Sequence, residues 1–231
     1  MKLQILMPVY NEATSIKDTI NEIFETLKGK IEFEFIISED GSSDGTKEIL
    51  AELKQKYPMT LISEPGRKYY SKAVIDGIKK ANADYLLIKD SDGQCDPNDI
   101  LNFWKLRDES DLINGYRHPR YDFAYRRFIS KLFYLFYKLL FNVPLRDPSF
   151  AYVFMSKKVY SRLNDFLPLM PDGFFWEFNA RAKKLNYKFN EIKINHRKRS
   201  SGDTKIYTLK NLPRIAYKNG IGLIKLRLFG K

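Results

Sequence analysis

Cysteine is nearly absent from this chain, and histidine is scarce. Cys95 is the one cysteine among 231 residues, so a framework of internal disulfides is excluded. This usage is typical of proteins from a reducing compartment. The two histidines, His118 and His196, do not have the spacing of a zinc site, and we assign them no chemistry.

Long apolar runs and nucleotide-binding glycine motifs are missing as well. No stretch of about 18 apolar residues occurs, so no helix is expected to cross a bilayer. The N-terminal stretch MKLQILMPVYNE has no small-residue cleavage site, which favours a first strand over a signal peptide. No Gly-x-Gly-x-x-Gly follows that strand, and no Walker lysine is present. A metal ion would therefore have to neutralise any bound phosphate.

Acidic residues are rare in two segments of a chain whose net charge is +12. Residues 116–146 hold seven lysines and arginines and one acid, whereas residues 204–231 hold seven and no acid. Both segments are also rich in Phe, Tyr, Leu and Ile. Basic charge alone fits nucleic acid or a membrane, but this apolar content favours an anionic membrane surface, and we expect no nucleic-acid ligand.

The first 117 residues alternate between short apolar runs and amphipathic segments. KLQILMPV and FEFIIS predict buried strands, and residues 14–27 between them have helical spacing. This alternation predicts an α/β fold with a mostly parallel central sheet and helices on both faces. After residue 117 the prediction is a strongly amphipathic helix at 123–141, strands at 149–156 and 187–197, a helix at 174–185 and a helical tail from Tyr207.

Polar, turn-rich clusters follow three of the predicted strands. They read PVYNE (8–12), SEDGSSDGT (38–46) and KDSDGQ (89–94). Because ligands of such sheets bind beyond the carboxyl ends of the strands, we expect the clusters to converge. Asp90 and Asp92 lie one residue apart, which suits Mg²⁺ or Mn²⁺ bound together with substrate phosphates. Taken alone, Asp-Ser-Asp is more typical of a turn, and we assign helix capping to Asp96.

The three clusters together resemble glycosyltransferase family 2, which has the GT-A fold. Three later stretches are similar to the polyprenyl-phosphate (dolichyl-phosphate) mannose or glucose synthases of that family. They are RRFISK (126–131), RDPSFAYVFMSKKV (146–159) and RSSGDTK (199–205). The resemblance covers residues 3–206. Where the family often has a glycine-rich stretch, this chain reads GRKYYSKA, with Arg67 and Lys72 at the place of the diphosphate contacts.

The resemblance implies roles for individual residues. The implied metal ligands are Asp90, Asp92 and Gln94. The implied nucleotide contacts are Pro8, Tyr10, Glu12, Glu39, Asp40, Asp90 and Ser91. The implied contacts to the acceptor phosphate are Arg117, Arg126, Arg127 and Ser130. The residues expected in catalysis are Asp92, Arg117, Arg199 and Lys205. Two simpler interpretations stay open: Glu12 as a favourable charge at a helix N-terminus, and Arg126 and Arg127 as a solvated helix face.

By this resemblance the chain is a metal-dependent, inverting glycosyltransferase. It would move mannose or glucose from a GDP- or UDP-sugar to a polyprenyl phosphate, with Mg²⁺ or Mn²⁺ as cofactor. Such a lipid stays in its bilayer, because each exposed CH₂ costs about 0.8 kcal/mol. We therefore expect a peripheral protein at the cytoplasmic face of a membrane, with or without a separate membrane anchor subunit.

The expected organisation is a catalytic domain at 1–206 and a basic amphipathic segment at 207–231. Within the domain, residues 123–141 form the acceptor-side helix. One side of this helix can pack on the core and another can lie among lipid headgroups, and the sequence leaves both open.

Three other functions remain open from the sequence. A family member with a hydroxyl acceptor would need a general base, Asp147 or Glu177, whereas a phosphate is already ionised at neutral pH. LLIKDSDG is superficially like the haloacid dehalogenase phosphohydrolases, but their motif ends the first strand. A basic binding module for nucleic acid or anionic lipid would not need Asp90 and Asp92. The spacing of residues does not reveal the sugar or the nucleotide.

Overall fold

Seven strands form one sheet at the centre of the protein. The computed structural model describes residues 1–118, 124–163, 170, 173–197 and 212–230. Within them the strands are β1 (Lys2–Val9), β2 (Glu32–Glu39), β3 (Met59–Ser63), β4 (Tyr85–Lys89), β5 (Leu112–Arg117), β6 (Tyr152–Ser156) and β7 (Phe189–Ile194). The helices are α1 (Ile16–Leu27), α2 (Thr46–Lys54), α3 (Tyr70–Lys80), α4 (Asn98–Lys105), α5 (Ala124–Phe141), α6 (Lys157–Leu163), α7 (Phe174–Lys184) and α8 (Leu212–Phe229).

The sheet is parallel apart from a single strand. Its order is β3-β2-β1-β4-β6-β5-β7, and β6 runs antiparallel to both of its neighbours. At the end of β4, Lys89 lies opposite Tyr152, the first residue of β6. The start of β6 therefore lies at the edge of the sheet where the other strands end. The predicted α/β fold with a mostly parallel sheet is confirmed.

Helices cover both faces of the sheet, which explains why its central strands are mostly apolar. On one face, Ile5 belongs to a cluster that takes its helical residues from α1, α2 and α4. On the other, Leu6 belongs to a cluster with α3, α6 and α7. Gly77 allows α3 to approach β1 closely, since a Cβ there would lie 2.1 Å from a methyl carbon of Leu6.

A third apolar cluster joins α5, α7 and α8. Its buried residues include Tyr137 and Phe141 of α5 and Leu223 and Leu226 of α8. Lys184, in the last turn of α7, donates to the carbonyl of Leu226 near the end of α8 (3.2 Å). One side of the predicted acceptor-side helix therefore packs against the protein.

Most predicted elements lie where the sequence put them, with shifts at their ends. Helix α2 begins at Thr46, and Asp44 caps it from outside by accepting from the Thr46 N–H (3.2 Å). Helix α6 was not predicted from the sequence. The predicted tail helix is described from Leu212 onward. Among the described residues, no helix has both the length and the apolar character that spanning a bilayer requires.

Candidate active site

The three polar clusters meet at the carboxyl edge of the sheet. They follow β1, β2 and β4, which are neighbours in the order β2-β1-β4. The Asp40 N–H donates to the carbonyl of Val9 (2.9 Å), and the Ser91 hydroxyl donates to the carbonyl of Pro8 (3.1 Å). Pro8 and Ser91, two implied nucleotide contacts, are buried and hold the ends of β1 and β4 together.

Side chains also link the first two clusters to each other. Asn11 has a left-handed backbone (φ 54°); its N–H donates to Ser42 Oγ, and its Oδ1 accepts from the Ser43 N–H, both at 2.9 Å. Burial alone raises the pKa of Asp44, but hydrogen bonds from the Thr46 hydroxyl and from backbone N–H groups outweigh it and hold the pKa below its usual value. The two loops form one rigid wall.

The two acids at the end of β2 have different surroundings. Glu39 is fully buried; its carboxylate accepts from the Ser42 N–H and from the Ser63 hydroxyl (3.2 Å), so it shapes the turn. Asp40 accepts from Arg67 Nε (3.1 Å) and from the Lys68 N–H (2.5 Å). Of these two implied nucleotide contacts, Asp40 is the one held beside Tyr10.

Arg67 stacks on a residue expected to contact the base. Its guanidinium carbon lies 3.3 Å from the centroid of the Tyr10 ring, while its Nε bonds Asp40. The sequence placed Arg67 at the diphosphate contacts; in the structure its guanidinium lies against Tyr10 and Asp40, two of the implied nucleotide contacts. Lys72, the second expected diphosphate contact, pairs with Asp76 one helical turn away (2.9 Å). Sequence spacing gives no signal for a stack between residues so far apart in the chain.

Glu12 lies at the N-terminus of α1. Its carboxylate accepts from the Ser15 hydroxyl (2.6 Å), and its carbonyl accepts from the N–H groups of Ser15 and Ile16 (3.0 and 2.9 Å). A negative charge at this end of a helix is favourable. The capping interpretation of Glu12 therefore has direct contacts, and its role toward a nucleotide stays a prediction.

Asp90 and Asp92 lie at the centre of the edge. Asp90 Oδ1 accepts from the Tyr70 hydroxyl at the start of α3 (2.9 Å). Burial, and after it the negative charge of Asp92, raises the pKa of Asp90 well above its usual value, although Tyr70, Lys89 and Arg117 act in the opposite direction. A corner that concentrates negative charge in this way is suited to a cation.

The donor set fits a hard divalent ion. Carboxylate and amide oxygens are the ligands of Mg²⁺ and Mn²⁺, and substrate phosphates usually complete the shell. The part of the chain that the structure describes contains no group of three or more His, Cys, Asp or Glu residues that could hold a metal. A site with two carboxylates, completed by phosphate and water, is consistent with this finding. Asp90 and Asp92 would hold the ion, with the amide oxygen of Gln94 as a third ligand.

Gln94 connects this corner to the segment that follows β7. Its Nε2 donates to the carbonyl of Arg197 (3.1 Å), and its own carbonyl accepts from the Arg197 N–H (2.7 Å). Next to this pair, Cys95 and His196 form an antiparallel bridge. We name the paired segments around Gln94 and Arg197 the Arg197–Gln94 ribbon. The Arg197 guanidinium also bonds Glu22 of α1 (2.8 Å), and this ion pair attaches the ribbon to α1. No pattern in the sequence indicates this connection.

Asp96 caps α4 as expected, because its carboxylate accepts from the Asn98 N–H (2.9 Å). It also lies 3.4 Å from the guanidinium of Arg197.

Arg199 and Lys205, two residues expected in catalysis, lie outside the described residues.

Arg117 brings a positive charge to the same corner from the end of β5. Its guanidinium makes a bidentate ion pair with Asp147 (2.8 and 3.1 Å), and it lies 5.0 Å from the centroid of the Phe150 ring. Its charge acts on Asp90. Asp147 precedes β6, and the reversed direction of that strand is what places it at this edge. The sequence had assigned Arg117 to the acceptor phosphate and Asp147 to an alternative base.

The remaining residues of the expected acceptor site are less tightly defined. On α5, Arg127 is exposed and Ser130 is half-buried. The backbone of Arg126 lies in the first turn of that helix, and its side chain lies outside the described part. Glu177 is buried on α7, where its carboxylate accepts from Arg181 (2.8 Å) and from the Met170 N–H (3.0 Å). The roles expected for Arg126, Arg127 and Ser130 remain predictions.

Solved structures share this fold. Glucosyl-3-phosphoglycerate synthase from Mycobacterium tuberculosis, crystallised with Mn²⁺, UDP and phosphoglyceric acid, superposes with a TM-score of 0.70 over 98% of this chain and 78% of that one, at 17% identity. The S. aureus TarS fragment 1–349 superposes with a TM-score of 0.63 over 83% of this chain and 58% of that one, also at 17% identity. At such identities the likeness shows the fold alone, and it is the GT-A fold expected from the sequence.

Curated relatives match more closely in sequence. A dolichol-phosphate mannosyltransferase from Pyrococcus furiosus is 27% identical over 215 residues, which is 89% of this chain and 59% of the relative. An undecaprenyl-phosphate 4-deoxy-4-formamido-L-arabinose transferase from Salmonella paratyphi B is 24% identical over 227 residues, 94% of this chain and 65% of the relative. This chain thus spans about three-fifths to two-thirds of their length.

The sequence model of Glycosyl transferase family 2 matches residues 4–163, well over half of the chain. That range contains the carboxyl-edge clusters, the Asp90–Asp92 corner and the Arg117–Asp147 pair. This chain therefore belongs to glycosyl transferase family 2.

Proposed function

We propose that this protein transfers a sugar, mannose or glucose, from a GDP- or UDP-sugar to a polyprenyl phosphate, with inversion at the anomeric carbon. One observation carries the proposal: a pair of carboxylates suited to a divalent ion lies at the same sheet edge as an aromatic base platform and a fixed arginine. The similarity to two polyprenyl-phosphate sugar transferases supports this acceptor class.

The donor half of the site would bind the nucleotide through groups that are already fixed. The Tyr10 ring offers a flat apolar face of the kind on which a base packs, and Asp40 can accept from the N–H groups of a base edge. Arg67 lies against both. As the nucleotide enters, Arg67 would either move off the Tyr10 ring or stay on one face of it while the base packs on the other. Glu39 and Asn11 keep the wall rigid, so less ordering is needed on binding.

Asp90 and Asp92, with Gln94, would hold Mg²⁺ or Mn²⁺ on the diphosphate. When bound, such an ion stabilises the negative charge that develops on the leaving nucleoside diphosphate. The Tyr70 hydroxyl orients Asp90, and the Gln94 N–H bonds Asp92 Oδ1 (3.1 Å), so the two carboxylates are positioned before any ligand arrives.

The arrangement of the candidate bases favours a phosphate acceptor over a hydroxyl. A hydroxyl acceptor needs a carboxylate with an accessible oxygen to take its proton. Both oxygens of Asp147 bond Arg117, and Oδ1 also accepts from the Ser149 hydroxyl (3.1 Å). The two oxygens of Glu177 bond Arg181 and the Met170 N–H. A phosphate monoester needs no base because it is largely dianionic at neutral pH.

In the proposed step an acceptor phosphate oxygen forms a bond to the anomeric carbon. The bond between that carbon and the donor diphosphate oxygen breaks, and its electron pair leaves with the nucleoside diphosphate. Arg117, fixed by Asp147, would hold the acceptor phosphate in line, since a guanidinium binds phosphate oxygens in a planar fork. Arg199 and Lys205, with Arg126, Arg127 and Ser130, are proposed to complete this grip.

The proposed place of work is the cytoplasmic face of an anionic membrane, with the protein bound peripherally. The insolubility of a polyprenyl chain in water supports this location. A separate membrane subunit would provide a further anchor. The proposed catalytic domain comprises residues 1–206.

The proposal is tested with purified protein, Mn²⁺ and radiolabelled GDP-mannose or UDP-glucose, in detergent micelles that contain polyprenyl phosphate. Labelled sugar should enter the organic phase and should be released by mild acid, as expected of a sugar phosphodiester. Polyprenol without phosphate is the matched control acceptor and should stay unlabelled. Label on polyprenol, or label found solely in a water-soluble glycan, would support the hydroxyl-acceptor alternative and overturn the phosphate assignment.

A further inference from the structure

Helix α5 presents a continuous apolar stripe to solvent. Phe128, Leu132, Leu135 and Leu139 follow one another at steps of four, three and four residues and are between 52% and 84% exposed. This spacing puts them on one side of the helix. The opposite side, with Tyr137 and Phe141, is buried in the cluster shared with α7 and α8. The stripe is therefore an addition to the face that stabilises the fold.

Helix α8 carries a second stripe with the same spacing. Tyr217, Ile221, Ile224 and Leu228 are between 36% and 71% exposed, and Phe229 beyond them is 80% exposed. Its buried side, with Leu223 and Leu226, packs in the same cluster as Tyr137 of α5. Large apolar side chains that cover such a surface on a monomer mark an interface rather than ordinary scatter.

The two stripes belong to one surface. Helices α5 and α8 pack against each other, and both direct their buried residues into the cluster that contains Trp176 of α7. Helices that are neighbours and share a buried side direct their exposed sides the same way. We name the eight residues at positions 128, 132, 135, 139, 217, 221, 224 and 228 the outer stripe.

The charges around the outer stripe have one sign. Neither α5 nor α8 contains an aspartate or glutamate. Seven basic side chains are exposed on them: Arg127, Lys131, Lys138, Arg214, Lys218, Lys225 and Arg227. Apolar residues flanked by lysine and arginine are the pattern of helices that lie in the headgroup layer of anionic lipids.

We propose that the outer stripe is a docking surface for an anionic lipid bilayer, into which α5 and α8 insert side by side. This inference rests on the proposed function and names the face through which the protein would reach its lipid acceptor. A second copy of this chain is the less suitable occupant, because two such faces would bring like charges together with no acid to compensate. The Tyr134 hydroxyl of α5 donates to the carbonyl of Leu145, two residues before Asp147, so docking on this face keeps the Arg117 corner near the bilayer.

Vesicle flotation tests the surface without any acceptor or donor. The full-length protein is mixed with vesicles of phosphatidylcholine alone or with one-third phosphatidylglycerol, and bound protein is measured after centrifugation. Binding should require the anionic lipid and should weaken as salt is raised, because screening shortens the reach of the charges. Leu139→Trp should add an emission that shifts to the blue on the same vesicles, which reports insertion.

Two pairs of variants separate the contributions. Leu132→Asp with Leu139→Asp should lower the partition coefficient more than tenfold, given the apolar area removed from the bilayer. The matched control is Ala51→Asp on α2 with Gln55→Asp directly after it, both at exposed positions; it makes the same charge change and should bind like wild type. Lys131→Gln with Lys138→Gln should lower binding roughly fivefold per residue, and Lys54→Gln with Lys56→Gln should not.

Several outcomes overturn the proposal: wild type that does not float with anionic vesicles, stripe variants that float equally well, or a dimer that dissociates when Leu132 and Leu139 become aspartate. Thermal melting of each variant excludes simple unfolding as the cause. The two proposals also fail separately. Flotation without sugar transfer to polyprenyl phosphate in micelles would support the docking surface and contradict the proposed function. Sugar transfer without flotation would support the proposed function and contradict the docking surface.

Discussion

The donor edge and the α5–α8 pair are built from different interactions. The donor edge, defined as residues 8–15, 38–46, 63–70 and 89–97, is held by buried side-chain hydrogen bonds and ion pairs among loops far apart in sequence. The α5–α8 pair is held by apolar contacts around Tyr137 and Trp176. The charged side chains that the structure describes on these two helices are exposed.

This difference matches what each region is proposed to recognise. A nucleotide presents fixed hydrogen-bonding groups, and a rigid polar wall selects them at little entropic cost. A lipid surface is fluid and has no fixed pattern, so area and net charge are sufficient to bind it. Changes at the donor edge should therefore act through single hydrogen bonds, whereas changes on the helix pair should act through burial.

The largest effect is expected from Asp90→Asn with Asp92→Asn. Transfer should fall about a thousandfold, because a Lewis-acid contribution of several kcal/mol is lost. Asn at 90 can still accept from Tyr70, so the melting temperature should hold or rise as repulsion is relieved. Mn²⁺ affinity, measured by electron paramagnetic resonance, gives a readout independent of turnover. Glu25→Gln on an exposed position of α1 is the control, and a double variant that still bound Mn²⁺ would contradict the assignment.

The next effect contrasts two residues of α5. Tyr137 is 1% exposed and Leu139 is 84% exposed, although they lie two positions apart. Tyr137→Ala should lower the free energy of unfolding by about 3–5 kcal/mol through a cavity. Leu139→Ala should change it by less than about 0.5 kcal/mol. Urea denaturation of both variants measures this, and equal losses would show that α5 has no separate packed and outer sides.

A smaller effect is expected for Tyr10→Ala. Loss of the ring should weaken UDP or GDP binding roughly tenfold or more, since stacking on an aromatic side chain contributes about 1–3 kcal/mol per base. Tyr10→Phe keeps the ring and should bind nearly as well as wild type. Isothermal titration with each nucleotide compares them. Wild-type affinity in Tyr10→Ala would place the base elsewhere on the edge.

Glu22→Gln should have a modest effect through Arg197. The substitution weakens the ion pair that fastens the Arg197–Gln94 ribbon to α1, so the affinity for Mn²⁺ should fall about threefold. Exposed ion pairs contribute at most about 1 kcal/mol, so the melting temperature should barely change. Glu25→Gln, on the same helix, is the matched control. An effect on stability alone, with Mn²⁺ affinity intact, would reduce the ribbon to a structural role.

The smallest effect is expected on the free energy of unfolding at low pH, through Asp96. Burial by itself raises the pKa of Asp96, but hydrogen bonds from Asn98 and the charge of Arg197 outweigh it and leave the pKa below its usual value. Its contribution to stability is therefore present above the unfolded pKa of about 4 and is lost as pH falls through the lower folded value. Urea unfolding from pH 5 to pH 2.5 should show this loss, and Asp96→Asn should have a shallower slope. An unchanged slope would mean that other carboxylates dominate.

Much of the donor edge was predictable from the sequence because its signals are local. The apolar runs before PVYNE, SEDGSSDGT and KDSDGQ marked buried strands, and parallel strands place such clusters at one edge. The cap at Asp96 was visible for the same reason. What the sequence could not reveal depends on distant pairing: Arg67 on Tyr10, Asp147 on Arg117, and the ribbon between Gln94 and Arg197.

The direction of β6 was also not predictable from a local pattern, because the apolar residues of a buried strand do not indicate whether it pairs parallel or antiparallel. The amphipathic pattern of residues 123–141 predicted the helix but not which side packs. That choice is made by α7 and α8, which lie more than 30 residues further along the chain. The short helix α6 was missed because a single apolar side over seven residues gives little periodicity.

The reversed strand has a bearing on how new specificities can be made from this architecture. Donor loops leave the ends of β1, β2 and β4, but the Asp147–Phe150 segment enters β6 from the opposite direction. Substitutions or insertions ahead of Tyr152 would thus change the proposed acceptor side while the loops after β1, β2 and β4 keep their own sequences. An engineer could exchange that approach between relatives and redirect the sugar to another recipient while the source of the sugar stays the same.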